Sequence, residues 1–128
     1  MGILDGLLGN ASEADIRGTE KDLQNILIAN ERVEQAYKVI RDLMVFTTKR
    51  LIIVDKQGVT GKKTDYHSIP YKTITHFSVE TAGTFDLDAE LNIWVSGSSA
   101  PISKEFRKDK SIYDVQKVLA SYVLDKKS

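Results

Sequence analysis

The chain contains no cysteine. Disulfides, thiolate nucleophiles and cysteine-ligated zinc or iron–sulfur sites are therefore excluded. No apolar run approaches the roughly 20 residues that a membrane-spanning helix needs. The amino terminus lacks the basic start and long apolar stretch of a secretory signal. Net charge is also lacking, because 18 basic residues balance 18 acidic ones. A pI of about 6.7 argues against a dedicated nucleic-acid binder, which carries a strong basic excess. These absences predict a cytoplasmic protein that binds no nucleic acid. Its 128 residues suffice for one core without covalent staples.

The acids and bases are segregated along the chain. Residues 1–31 carry six acids and two bases, and residues 77–100 carry four acids and no base. Residues 41–76 carry seven bases against three acids, and residues 101–128 carry seven against four. A mixed solvated surface produces such a distribution, and so do complementary poles that bring copies together head to tail.

The run from Phe85 to Val95 is the clearest structural signal. Phe85, Leu87, Ala89, Leu91, Ile93 and Val95 are apolar, and Asp86, Asp88, Glu90 and Asn92 are polar, with Trp94 the exception. Period-two alternation predicts a long strand with one apolar face and one acidic face. Further strands are predicted at Val33–Ile40, Leu43–Thr48, Leu51–Val54, Lys62–Ile69, Thr73–Thr81 and Ile102–Arg107. Asp55–Gly58 reads as a hairpin turn, and Pro70 ends its strand or lies at an edge. Thr19 and Asp22 resemble a capping box before a short helix over Glu20–Asn30, with Leu23, Ile26 and Leu27 on one stripe. A closing helix is predicted from Ser111, with Ile112, Val115, Leu119, Tyr122 and Val123 as its apolar stripe. The expected fold is mainly β (α+β), a bent seven-stranded antiparallel barrel capped by the carboxyl-terminal helix. Residues 1–31 form a helical arm and residues 32–128 the domain proper.

The order and wording of these segments resemble the bacterial pleckstrin homology family, small stand-alone proteins of unknown function. The carriers are Arg41–Gly58, with Leu43-Met44-Val45-Phe46-Thr47 and Leu51-Ile52-Ile53-Val54 inside it, then Ser68-Ile69-Pro70-Tyr71-Lys72-Thr73-Ile74. Phe77–Leu91 and the helix start Ile112-Tyr113-Asp114-Val115-Gln116 complete them. The resemblance implies a bent barrel stoppered by the last helix and a tendency to assemble into symmetric rings. It assigns no catalytic residue.

Asp86, Asp88 and Glu90 suggest a cation site, but outward carboxylates on one strand stand about 7 Å apart and diverge. A calcium ion wants six to eight converging oxygens. We expect no metal, no cofactor and no catalytic residue. His67 and His76 are isolated in sequence, and no nucleophile elbow, zinc spacing or phosphate cradle is present. The protein is thus expected to be a non-enzymatic interaction module that assembles with itself and presents a surface to a further protein partner. Asp86, Asp88, Glu90, Leu23, Ile26 and Leu27 are the candidate contacts. The alternative is weak peripheral binding to anionic lipid through Arg41, Lys62, Lys63 and Lys72. The phosphoinositide signature of some eukaryotic relatives is incomplete, since Lys38 and Arg41 lack the following basic pair.

Overall fold

A computed structural model describes residues 13–39, 42–57, 63–81, 88–107 and 111–125. The candidate residues Asp86, Arg41 and Lys62, and Gly58 of the expected hairpin turn, lie outside them. The described chain forms two compact units that divide between Ile69 and Pro70.

The first unit starts with helix α1 (Glu13–Asp22), followed by β1 (Val33–Val39), β2 (Asp42–Thr47), β3 (Arg50–Gln57) and β4 (Lys63–Pro70). The strands form one sheet in sequence order, with β1–β2 and β2–β3 antiparallel. Strand β3 continues through Gln57, so Asp55–Gln57 belong to the ladder and not to a turn. The reason is cross-strand pairing, which places Asp55 directly opposite Asp42.

The helix also differs from expectation. It ends at Asp22, close to where the sequence pattern would have started it. Thr19 is interior, since its carbonyl accepts the Leu23 N–H at 3.0 Å. Leu23, Ile26 and Leu27 follow in tight turns, with the N–H groups of Ile26 and Leu27 both reaching the Leu23 carbonyl. Their stripe is real, but it is carried by turns. Together with Ile16 they cover one face of the sheet, made of Val33, Ala36, Leu43, Val45, Ile52 and Val54.

A bulge at the start of β1 makes that face continuous. The register steps from Val33↔Thr47 to Gln35↔Phe46, so Glu34 is the extra residue. Val33 is thereby turned to the arm side beside Ala36, whereas Gln35, Tyr37 and Val39 face the other way. That opposite face is buried as well, with Tyr37, Met44, Phe46, Leu51 and Ile53 all at 2% exposure or less. Tyr37 and Phe46 meet edge to face, with ring centroids 6.1 Å apart. Burial on both sides explains why β2 and β3 read as unbroken apolar runs and not as alternating ones.

Two charged clasps fasten the arm. Glu20 accepts from Arg17 at 2.7 Å, from Arg32 Nε at 2.7 Å and from the Val33 N–H at 2.9 Å. Glu31 is fully enclosed, its side chain showing 0% exposure. Its two oxygens accept from Arg50 Nε at 2.8 Å, Arg50 Nη2 at 2.9 Å, the Thr47 hydroxyl at 2.6 Å and the Ile28 N–H at 3.0 Å. Those four donors fill a carboxylate's acceptor sites. Arg50 also donates to the Ile26 carbonyl at 2.6 Å and to the Ser68 hydroxyl at 2.9 Å. One guanidinium thus ties the arm, β3 and β4 together. Asn30 has φ of 67°, a left-handed conformation that asparagine tolerates better than most residues, and it turns the chain so that Glu31 reaches Arg50.

The second unit starts with a single 3-10 turn (Tyr71–Thr73), then β5 (Ile74–Thr81), β6 (Asp88–Val95), β7 (Ile102–Arg107) and helix α2 (Ser111–Leu124). The three strands form an antiparallel sheet in sequence order. The seven strands therefore divide into sheets of four and three. Gly97, with φ of +84°, makes the turn after β6, where a side chain would be strained. Helix α2 packs against β5, β6 and the 3-10 turn. Its Ile112, Val115 and Leu119 are buried, as the stripe predicted, Val118 is buried beside them, and Tyr122 stacks on Tyr71 with centroids 4.4 Å apart.

Candidate functional site

One face of the three-stranded sheet lines up polar and aromatic side chains from all three strands. Ala89, Leu91 and Ile93 of β6 are buried on the inner side, so even-numbered residues of that strand point outward. The register aligns them with their neighbours in three rows.

The first row is His76 on β5 opposite Trp94 on β6. Their rings stack with centroids 4.4 Å apart and an angle of 15°. The Thr75 hydroxyl lies 3.0 Å from His76 Nδ1 and 3.3 Å from the Trp94 carbonyl oxygen, which fixes the imidazole's orientation. The second row is Ser78, Asn92 and Ser103. Asn92 is buried, and its side-chain oxygen accepts from the Ser103 hydroxyl at 2.5 Å.

The third row is Glu80, Glu90 and Glu105, directly opposite one another on β5, β6 and β7. Opposed residues on antiparallel strands have Cα atoms about 4.5–5.5 Å apart. Like charges set directly opposite one another on neighbouring strands destabilise a sheet. Among the described residues no ion pair includes any of the three. No group of three or more histidine, aspartate or glutamate side chains among the described residues is arranged to hold a metal ion. The row is a strip of negative charge with no cation paired to it among the described residues.

Of the contacts expected from the sequence, Glu90 lies at the centre of this row. Asp88 begins β6 two residues earlier, in register with Arg107. Leu23 is placed elsewhere. At 4% exposure it is taken up by the arm's contact with its own sheet, and the half-buried Ile26 and Leu27 pack on the same cluster. Of the basic candidates, two lie among the described residues. Lys63 opens β4 in the first unit, Lys72 sits in the 3-10 turn of the second, and both are exposed.

Sequence reasoning missed Glu80, Glu105 and the His76–Trp94 stack. The signal was available only in part. Each strand shows the same alternation, but it takes register to bring glutamates from three strands into one line. Reading along a single strand sees Asp86, Asp88 and Glu90; folding assembles the row across strands.

The fold and this sheet match known proteins. Residues 2–123 match the bacterial PH domain family. The chain belongs to that family. A bacterial PH domain from Shewanella amazonensis SB2B superposes with a TM-score of 0.80 at 55% identity, covering 86% of this chain and 99% of the other. A pleckstrin-homology protein from Shewanella loihica PV-4 gives a TM-score of 0.76 at 54% identity, covering 89% and 97%. The uncharacterized protein YjqA of Bacillus subtilis (strain 168) is 62% identical over 122 residues, 94% of this chain and 98% of that one. These bacterial PH domain relatives are of unknown function, and none points to an enzymatic family. No helix among the described residues is long and apolar enough to cross a membrane.

Proposed function

We propose that this bacterial PH domain is a non-catalytic, cytoplasmic interaction module that assembles with itself and displays a surface to a further protein. The observation that supports this reading is the glutamate row. A fold gains nothing from three carboxylates set in line on a sheet, since opposed like charges destabilise it. The cost is recovered when a cationic surface covers the row. The chain carries its own supply of such surface, with seven basic residues against three acids over residues 41–76. Acidic and basic stretches of one sequence then meet between copies, head to tail, which closes into a ring when the rotation permits.

The test is light scattering across a salt series. The wild-type chain assembles at low ionic strength and dissociates as salt screens the contact. Glu90→Lys at the centre of the row abolishes the assembly while the fold persists by circular dichroism. A wild-type monomer at every salt concentration, or a Glu90→Lys variant that assembles like wild type, would overturn the reading. Sedimentation with anionic vesicles is run alongside. Vesicle binding that Lys63→Glu removes would replace protein assembly with lipid attachment.

A further inference from the structure

Asn92 stands at the centre of the outward face of the three-stranded sheet, between the His76–Trp94 pair and the glutamate row. It is 7% exposed, and among the described residues its one side-chain hydrogen bond is the one accepted from Ser103. Its amide N–H groups donate to none of them. A largely buried donor without an acceptor destabilises a fold. An acceptor from another molecule completes it.

The groups on either side of Asn92 set the charge of that molecule. Trp94 is half-buried, and its indole, held by the His76 stack, supplies a π surface on which a cation packs. Four residues away along β6, Glu90 is the middle of the glutamate row, flanked by the exposed Glu80 and Glu105. At about 3.3 Å per residue the two anchors lie roughly 13 Å apart.

We infer that this face binds an extended segment of another protein that carries two arginine or lysine residues four positions apart. One basic side chain packs on Trp94, and the other lies on the glutamate row. A backbone carbonyl between them accepts from Asn92. Four residues of extended chain span about 13 Å and put both basic side chains on the same side. A helix spans only about 6 Å over four residues, and its interior carbonyls are already bonded. The chain does not supply this segment itself. Basic residues four apart occur in its sequence only at Arg17 and Lys21 and at Lys104 and Lys108. The first pair lies on helix α1, and Lys104 is already part of β7 in the same sheet. The inference rests on the reading that the row takes a cationic surface, and it names the further protein by its chemistry. Both contacts use Glu90, so a bound segment displaces a neighbouring copy.

Trp94 is the one tryptophan of the chain, so its fluorescence reports the contact directly. The probe is an end-capped seven-residue peptide with arginine at its second and sixth positions and serine elsewhere. An isomer with adjacent arginines has the same charge but turns one arginine away from the sheet. The first peptide is expected to shift Trp94 emission saturably and to bind roughly fivefold tighter than the isomer. Anisotropy of the dye-labelled peptide extends the test to variants with wild-type circular dichroism. Trp94→Leu and Asn92→Ala each weaken binding roughly fivefold, and Glu90→Gln roughly threefold. Asp65→Asn, which removes the same charge from an exposed position on β4, leaves it unchanged. Trp94 emission that does not respond to millimolar peptide overturns the inference, as does a Trp94→Leu variant that binds like wild type. Equal binding of the two isomers also overturns it and reduces the face to a diffuse attraction for positive charge. The two readings fail separately. Peptide binding by a chain that stays monomeric at every salt concentration refutes self-assembly alone, whereas salt-sensitive assembly without a peptide response leaves the row to a second copy.

Discussion

Removing the charge of Glu31 by Glu31→Gln tests whether the arm is fastened as described. Burial pushes the Glu31 carboxyl towards the neutral form. The Arg50 guanidinium, the Thr47 hydroxyl, the Ile28 N–H and the Arg50 charge together outweigh burial and hold its pKa at about 2, against an ordinary 4.5. A pKa lowered on folding adds stability that is fully present above the unfolded value and is lost as pH falls through the folded one. The loss therefore runs between about pH 4.5 and pH 2. At 1.36 kcal/mol per pKa unit, the shift corresponds to about 3 kcal/mol. Glutamine keeps one acceptor oxygen but loses the charge and one oxygen's share of the hydrogen bonds. Arg50, with a side chain 21% exposed, regains part of its hydration from solvent, which limits the damage.

The net expectation is a loss of about 2–3 kcal/mol at neutral pH, below the 3–5 kcal/mol typical when one partner of a fully buried pair is removed. Urea denaturation followed by tryptophan fluorescence and far-ultraviolet circular dichroism reads it as a lowered midpoint. The decisive readout is the pH dependence. Wild-type stability falls between pH 4.5 and 2 more steeply than that of Glu31→Gln, and the two curves converge at the acid end. A variant within 0.5 kcal/mol of wild type at pH 7, or one with an unchanged acid slope, would refute the reasoning. A double-mutant cycle with Arg50→Met should give a coupling of at least about 1 kcal/mol, because the two residues share hydrogen bonds.

Three further outcomes are expected. Leu23→Ala should cost about 2–4 kcal/mol in chemical denaturation and expose the arm to limited proteolysis, because it empties the contact between arm and sheet. Gln35→Met should raise stability by about 1 kcal/mol in thermal melts; Gln35 is 3% exposed and its side-chain oxygen meets no hydrogen-bond donor in the described structure. Glu90→Lys should stabilise the isolated chain by about 0.5–1 kcal/mol, since it turns two opposed like-charge pairs into opposite-charge ones. On the proposed reading the same substitution should remove self-assembly, so stability and assembly would move in opposite directions.

The legible parts of the fold are those governed by one-dimensional periodicity. The alternation of Ala89, Leu91 and Ile93 against Glu90 survives folding because side-chain direction on a strand is a local property. The stripe of Ile112, Val115 and Leu119 is legible for the same reason. The arm is misplaced by its sequence pattern because α1 is almost entirely polar; Ile16 is its one large apolar residue and shows no helical period, and the denser Leu23-Ile26-Leu27 stripe draws the expected helix downstream. The Val33 bulge is invisible, since a single extra residue changes which face a side chain takes without changing composition. Glu31 offers no signal either. It becomes a fully hydrogen-bonded carboxylate only when Asn30 turns the chain and Arg50 arrives from 19 residues away.

The same distinction separates two kinds of acidic residue in this bacterial PH domain. Glu20 and Glu31 each receive several donors, and their carboxyl pKa values are lowered accordingly. They stabilise the monomer. Glu80, Glu90 and Glu105 receive no cation among the described residues, although the sequence holds as many bases as acids. A chain with that much positive charge could have placed a lysine opposite Glu90 at no cost in composition. It places a glutamate on either side instead. Monomer stability does not account for that choice, whereas the partner surface proposed above would. If Glu90→Lys stabilises the fold and leaves every association intact, the row has no such purpose and the argument from uncompensated charge fails.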